Sequence, residues 1–338
     1  MSGPLPGADA VIRTVLGDVP PGRLGRTDYH EHLFQATPLL SGDELDDEER
    51  SAAEAGLLRA SGIDAMIDAT PCALGRDPAA VARISHRTGL RVVMTTGAHR
   101  LDHYGPDHWI TRLSPDDLAA LFTRDLLHGV PARDRPPGRA GETPAAGPDG
   151  EPVRAGVLKA GIGYWSIGAF ERRVIEAVGE AHRRTGAPVM VHLEHGSASF
   201  EVLALLRENG VAAGRVALAH IDRNPDPGLH AELAAAGAYL GYDGVARHRG
   251  HPDSVLLDCL CEVAARGGAS RLLLGGDVAR RTRYVAYGGM PGLGYLGERF
   301  LPRLRERAGE ALERAILVDN PARLLARRAV PNPARPTG

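Results

Sequence analysis

The sequence predicts a (β/α)8 barrel, the TIM-barrel architecture, for this chain of 338 residues. Short apolar segments alternate with helix-forming segments eight times, and such alternation produces a parallel sheet. The apolar segments have no polar face, as expected for strands that are buried on both sides. Polar residues suited to chemistry follow several of these segments, where the active sites of such barrels lie. A doubly wound open sheet is the alternative for the same alternation.

The elements are predicted in order along the chain. Residues 10–25 hold two apolar pieces around a proline and glycine turn, which predicts an N-terminal β-hairpin. Eight runs of aliphatic residues, bounded by polar or turn-forming residues, then predict the barrel strands. We expect these strands at residues 25–32, 65–69, 91–96, 155–159, 188–192, 216–220, 238–241 and 271–275.

A helix is predicted after each strand. Ser114 followed by Pro115 is typical of a helix start, with serine as the N-cap and proline in the first turn. Gly62 and Gly89 end the first two helices. We expect the helices at residues 48–61, 78–88, from 115 onwards, 169–185, 199–208, 228–236, 254–266 and 300–308.

One segment interrupts the alternation between the third helix and the fourth strand. Residues 131–152 are rich in proline, glycine and alanine and contain almost no large apolar side chain. Such a composition predicts a flexible surface loop. We interpret it as an insertion within a single domain that spans residues 1–338, and not as a domain boundary.

Composition excludes several classes of function. The net charge is -2, so bulk charge gives no reason to expect nucleic-acid binding. No apolar run is long enough to span a membrane, and the first ten residues lack the pattern of a signal peptide. Three cysteines do not form a disulfide framework and suit a reducing compartment. We therefore expect a cytoplasmic protein.

Residues that can bind metal cluster at the predicted strand ends. His30 and His32 project to the same face if they end a strand, because side chains alternate there. Alone, this pair is a weak signal, since two scattered histidines would give the same pattern. Other strands add polar residues at the same mouth: Lys159, His192, His220 and Asp277. Four imidazoles and one carboxylate at one mouth predict a site for two divalent metals.

Lys159 does not fit a simple metal site, because an ammonium group repels cations. It could pair with Asp277 or act as a general base with a lowered pKa. Alternatively, carbon dioxide could convert its amine into a carbamate anion that bridges two metals. The residues alone leave these interpretations open.

Four other histidines lie near the predicted mouth. His99, His103 and His108 follow the third strand and are interpreted as surface groups, with substrate contact as the alternative. His195 is expected near the mouth and not as a ligand. Their positions give no strong prediction of a role.

Five segments together resemble the phosphotriesterase family of the amidohydrolase superfamily. They are GRTDYHEHL at 25–33, RAGVLK at 154–159, VH at 191–192, HIDRNP at 220–225 and GD at 276–277. The resemblance extends from about residue 11 to about residue 325, and the motifs occur in the order that the family shows.

The resemblance implies a ligand set and a reaction. His30 and His32 with Asp277 would hold the more buried metal, and His192 with His220 the more exposed one. Carbamylated Lys159 and a hydroxide would bridge them, the hydroxide would attack the substrate, and Asp277 would accept its proton. The resemblance implies zinc as the metal, with manganese, cobalt or iron as alternatives. A homodimer is also implied, and by the resemblance alone.

Arginines in the last two loops predict the substrate class. Arg249, Arg280 and Arg283 follow strands seven and eight, and guanidinium groups match phosphate or carboxylate. Family members that open phosphorylated sugar lactones are similar here, so a small-molecule lactone is the expected substrate. The arginines could instead be solvated, or pair with Asp243 and Asp253. The alternatives are a phosphotriesterase for neutral triesters, and a non-catalytic metal-binding scaffold or sensor.

Overall fold

The computed structural model describes residues 9–137 and 143–329. Two strands precede the barrel: β1 (Ala10–Thr14) and β2 (Gly17–Val19) pair antiparallel, and β11 (Arg327–Arg328) pairs with the other edge of β1. The chain reverses at residues 15–16, earlier than the proline and glycine run that was expected to form the turn. That run instead continues β2 and enters a 3-10 turn at Pro21–Arg23.

Within the described residues, eight strands form one parallel sheet in sequential order. The two ends of the sheet meet, since the backbone N–H of Asp277 donates to the carbonyl of His30 at 2.9 Å. The predicted barrel is therefore confirmed. Its strands are β3 (Thr27–Glu31), β4 (Ala65–Asp68), β5 (Arg91–Gly97), β6 (Val157–Gly161), β7 (Val189–His192), β8 (Val216–Ala219), β9 (Tyr239–Tyr242) and β10 (Leu272–Leu274).

The strands are rich in apolar residues because both of their faces are covered, and the polar residues that they do contain, such as Asp28, Glu31 and Lys159, are buried as well. Every residue of β4 and of β6 to β10 is buried. One apolar cluster fills the barrel interior around Tyr29, Val93 and Met190. A larger cluster lies between the sheet and the surrounding helices. This leaves the carboxyl ends of the strands as the place where polar side chains can meet.

Helices pack around the sheet in the predicted alternation. Ser114 Oγ accepts a hydrogen bond from the backbone N–H of Asp117, as expected of an N-cap, and left-handed Gly89 ends the second helix. The last predicted helix, expected to end at residue 308, instead continues to Arg314 and is interrupted at Gly309, which has non-helical backbone angles. The helices are α1 (Glu48–Ala60), α2 (Pro78–Thr88), α3 (Pro115–Leu127), α4 (Ala169–Thr185), α5 (Ser199–Glu208), α6 (Pro227–Ala235), α7 (Asp253–Ala265), α8 (Leu301–Arg314) and α9 (Asn320–Leu325).

The loop between α3 and β6 is tied to the barrel at its described ends. Val130 donates to the carbonyl of Val153 at 2.8 Å, and Asp134 pairs with the buried guanidinium of Arg76 at 2.7 Å. Residues 138–142 of the predicted flexible loop lie outside the described residues, so its flexibility stays a prediction. Among the described helices, none combines the length and the apolar character needed to cross a membrane.

Candidate metal centre

The structure places the six predicted ligands at the carboxyl end of the barrel. His30 lies in β3, and His32 is the first residue after this strand. Lys159 lies in the middle of β6, because this strand continues to Gly161 and does not end at the lysine as expected. The remaining three side chains come from three other strand ends: His192, His220 and Asp277. All six are buried.

His30, His32 and Asp277 form the tightest group of possible ligands. One ligand atom from each of the three lies within 4.8 Å of the others. Asp277 Oδ1 lies 3.8 Å from Nε2 of His30 and 3.6 Å from Nε2 of His32. Two imidazole nitrogens and a carboxylate oxygen are donors that zinc and similar ions accept. This donor set therefore fits one divalent cation.

Lys159, His192 and His220 surround the other side of this group. The Nζ atom of Lys159 lies 3.3 Å from Nε2 of His30. The ring centroid of His220 lies 4.9 Å from that of His30 and 4.5 Å from that of His192. Among the described residues, His192 belongs to neither of the two compact groups of possible ligands. It stands at the outer side of the cluster.

Each of the four imidazoles is held through one nitrogen, which leaves the other to bind a cation. Asp243 interacts with Nδ1 of His220 at 2.7 Å and with Nδ1 of His30 at 3.1 Å. Thr70 Oγ1 contacts Nδ1 of His32 at 2.6 Å. The fourth ring, His192, contacts Glu194 through Nε2 at 2.9 Å. Such partners orient metal-binding histidines and set which nitrogen carries the proton.

A second compact group consists of His30, His220 and Asp243. Its distances fit hydrogen bonds, because both imidazoles direct Nδ1 at the carboxylate. Burial alone would raise the pKa of Asp243, but the imidazoles of His220 and His30 hold it well below its usual range. We therefore interpret Asp243 as the carboxylate that orients two ligands, and not as a ligand itself.

Burial sets the protonation of the basic groups in the centre. It lowers the pKa of His30 to about 4 and that of His220 to about 3, so both rings are neutral at pH 7. A neutral imidazole is the form that binds metal. Burial also lowers the pKa of Lys159 to about 8. A buried amine with such a pKa carries a larger neutral fraction than an exposed lysine.

Asp277 also has cationic neighbours. Burial by itself would raise its pKa, but the guanidinium of Arg247 and the imidazoles of His30 and His32 hold the pKa well below its usual range. Arg247 forms an ion pair with Asp277, and Nη2 of Arg223 lies 3.5 Å from Asp277 Oδ2. Asp277 is therefore ionised and can accept either a metal or a proton.

A cationic cavity of about 730 Å³ adjoins the centre. The three predicted anion-binding residues, Arg249, Arg280 and Arg283, all line it. Two further arginines, Arg223 and Arg247, also lie at this wall. Of these, Arg223, Arg247 and Arg280 also line the cavity of about 260 Å³ that contains the predicted ligands. The two cavities are therefore neighbours.

The loop arginines do not pair with the carboxylates that were considered as alternatives. Arg247 pairs with Asp277, and Arg280 Nη1 lies 3.4 Å from Asp43 Oδ2. Asp253 instead meets Arg303, and Asp243 meets the two histidines. These pairings depend on loops that meet only in the folded chain.

Several contacting residues were not identified from the sequence. Asp243 follows a strand and appeared only as a possible partner of arginine, while Thr70 and Glu194 gave no signal beyond their nearness to predicted strand ends. His99 and His103 are buried and not surface groups as expected. The ring of His99 packs 4.4 Å from that of His192, because the loop after β5 folds over the mouth.

The chain is also similar to known proteins along most of its length. The family model described as the phosphotriesterase family matches residues 10–138 and 142–325. A phospho-furanose lactonase from Mycoplasmopsis agalactiae is 28% identical over 335 residues, covering 94% of this chain and 92% of that protein.

Two solved structures resemble the whole chain. The crystal structure of the lactonase Lmo2620 from Listeria monocytogenes superposes with a TM-score of 0.82 at 30% identity, covering 95% of this chain and 100% of that one. The phosphotriesterase homology protein from Escherichia coli, complexed with phosphate in its active site, has a TM-score of 0.77 at 28% identity. That superposition covers 91% of this chain and 100% of the other.

Proposed function

Because the chain belongs to the phosphotriesterase family, we propose that it is a metal-dependent hydrolase of ester bonds that opens lactone rings. The observation that carries the proposal is the convergence of His30, His32 and Asp277, whose ligand atoms lie within 4.8 Å of one another. The similarity to a lactonase from Listeria monocytogenes and to a phospho-furanose lactonase supports the same chemistry.

In this proposal the predicted ligands divide between two ions, with zinc the expected metal. His30, His32 and Asp277 would hold the more buried ion, and His192 with His220 would hold the more exposed one. When bound, such ions lower the pKa of a water molecule and polarise the carbonyl oxygen of the ester. The chain's own contribution is to orient the imidazoles through Asp243, Thr70 and Glu194.

Lys159 is proposed to act as a carbamate. The lone pair of its neutral Nζ attacks the carbon of carbon dioxide and forms a C–N bond. One C=O electron pair moves to oxygen, and a proton leaves the nitrogen to solvent. The product carries two oxygens and one negative charge, so it would supply anionic oxygen ligands for divalent ions held by the neighbouring histidines. Its support is the burial of Lys159 beside His30, at 3.3 Å from Nε2.

Asp277 is the proposed proton carrier. As water adds to the carbonyl carbon, the carboxylate takes one proton, and it returns that proton to the ring oxygen when the C–O bond breaks. Arg247 and Arg223 lie against the same carboxylate and keep it ionised before the reaction. Both arginines contact Oδ2, and these contacts orient the carboxylate.

The proposed substrate is a lactone that carries an anionic group, such as a phosphorylated sugar lactone. The support is the cavity lined by Arg249, Arg280 and Arg283 next to the predicted ligands. Guanidinium groups bind phosphate through paired hydrogen bonds. A neutral phosphotriester would gain nothing from these cations, so it is the less favoured substrate.

The test is a zinc-reconstituted protein assayed on three substrates: a plain γ-lactone, a phosphorylated furanose lactone and a neutral aryl phosphotriester. We expect two ions per chain, loss of activity on chelation, and the highest kcat/KM for the phosphorylated lactone. Preference for the triester would contradict the proposal. Two bound ions without turnover of any of the three esters would favour the scaffold function.

Location and assembly belong to the same proposal. The three cysteines are free, which suits a reducing cytoplasm. A homodimer rests only on the family resemblance, and sedimentation of the purified protein would test it.

A further inference from the structure

Of the four imidazoles in the centre, His192 is the one whose outer partner lies at the mouth. The partners of the other three, Asp243 and Thr70, are fully buried. Glu194 retains 20% of its side-chain exposure and lines the cavity that contains the predicted ligands. The orientation of His192 therefore depends on a carboxylate that solvent and substrate can reach.

The contact between Glu194 and His192 selects one nitrogen of the ring. Glu194 Oε1 lies 2.9 Å from Nε2 of His192. An ionised carboxylate only accepts hydrogen bonds, so Nε2 must carry the proton that it donates. In the neutral ring, the lone pair then lies on Nδ1, which is the nitrogen left to bind a cation.

Arg100 is a second partner of the Glu194 carboxylate. Its Nη2 lies 3.2 Å from the same Oε1 atom, and its Nη1 pairs with Asp102 in the loop after β5. The ring of His192 is also packed between those of His99, at 4.4 Å, and His220, at 4.5 Å. The loop after β5 thus reaches His192 both through a ring contact and through the Arg100–Glu194 pair.

We propose that Glu194 is a positioning residue for the more exposed metal, and that Arg100 holds it in place. The inference rests on the proposed function, because it requires His192 to be a ligand. Asp243 orients two histidines that are assigned to different ions, whereas Glu194 orients only His192. Loss of Glu194 should therefore weaken the binding of one ion and leave the binding of the other unchanged.

The test counts zinc ions in the full-length, zinc-loaded protein across a series of chelator-buffered free zinc concentrations. In Glu194→Ala, one ion should leave at a free zinc concentration roughly 10–100-fold above that for the wild type, as for other outer partners. The second ion should leave within twofold of its wild-type value. Glu194→Gln should restore part of the lost affinity, because its amide oxygen still accepts from Nε2. Arg100→Met should give a smaller change in the same direction.

Glu201→Gln is the matched control. Glu201 is exposed on α5 in a neighbouring cavity that Glu194 also lines. This variant should release both ions at the same free zinc concentrations as the wild type. Unchanged release of both ions in Glu194→Ala, or equal weakening of both, would overturn the role of Glu194 while leaving the metal centre intact. If the wild type never holds two ions, the proposed metal centre is wrong, and the inference fails with it.

Discussion

The ε-amino nitrogen of Lys159 lies 3.3 Å from Nε2 of His30, although the two residues are 129 positions apart in the chain. They come from β6 and β3, which are three strands apart in the sheet. Only the closed barrel brings them together. This pair forms the middle of the proposed centre, and the first prediction follows from it.

Lys159→Ala should remove the proposed bridge between the two ions. We expect the zinc content to fall from two ions per chain to one or fewer, and activity to fall by more than the roughly 100-fold that loss of an outer partner costs. Short carboxylic acids such as acetate or propionate should restore part of the activity, because they supply the missing carboxylate group. Full zinc content in Lys159→Met would show that no bridge is needed.

Asp277→Asn should separate binding from proton transfer. The amide cannot take up a proton at neutral pH, so kcat on the best lactone should fall by about 10²–10⁴-fold. KM should change less than kcat, because the lost charge directly affects Arg247 and Arg223, which pair with Asp277, and not the three arginines proposed to bind the anion. Steady-state kinetics on the zinc-loaded variant measures both. A rise in KM with an unchanged kcat would instead show that Asp277 contacts the substrate.

Asp243→Ala should weaken the binding of both ions. Alanine has no acceptor oxygen, so Nδ1 of His30 and Nδ1 of His220 both lose the carboxylate that orients them. We expect the apparent affinity for each ion to fall roughly 10–100-fold in chelator competition. A lower affinity for only one ion would mean that one of the two hydrogen bonds of Asp243 has no effect on metal binding.

Arg280→Gln and Arg283→Gln should each reduce the preference for a phosphorylated lactone. Loss of one charge-assisted hydrogen bond should raise KM for that substrate about 10–100-fold and leave the plain lactone nearly unchanged. Arg281→Gln is the control, because Arg281 pairs with Asp46 at 2.8 Å and does not line the cavity. Arg249→Gln should behave like the other two variants. The proposed anion site would be wrong if KM rose equally for both lactones, or if it changed in none of the three variants.

His230 should make stability depend on pH. Burial lowers its pKa from 6.5 to about 4, while Tyr242 and the carbonyl of Ile221 bind its neutral ring. Between these values the unfolded chain binds a proton that the folded chain does not. The stabilisation is therefore complete above pH 6.5 and falls as the pH drops to 4, by at most about 3 kcal/mol.

Urea unfolding of the metal-free protein at pH 7.5 and 4.5 measures this dependence. His230→Gln should lose less stability between the two pH values than the wild type does. His86→Gln, at an exposed position of α2, should behave like the wild type. An unchanged pH dependence in His230→Gln would show that other groups cause it.

Much of the fold could be predicted from local patterns. The buried strands were recognised because strands covered on both faces consist mainly of apolar residues. Cap residues such as Ser114 fixed helix starts, because their hydrogen bonds are local. The N-terminal turn was misplaced because pairing of β1 with β2 outweighed the turn preference of proline and glycine.

The sequence by itself determined which side chains reach the mouth of the barrel, because the carboxyl ends of parallel strands all lie at one edge. His30, His192, His220 and Asp277 could be named for that reason. Only the tertiary structure decided what each side chain contacts there. That Asp243 holds two histidines, that Glu194 holds a third, and that Arg247 faces Asp277 all depend on side-chain directions between segments far apart in the chain. No local pattern encodes those directions, because they are set by the packing of one loop against another.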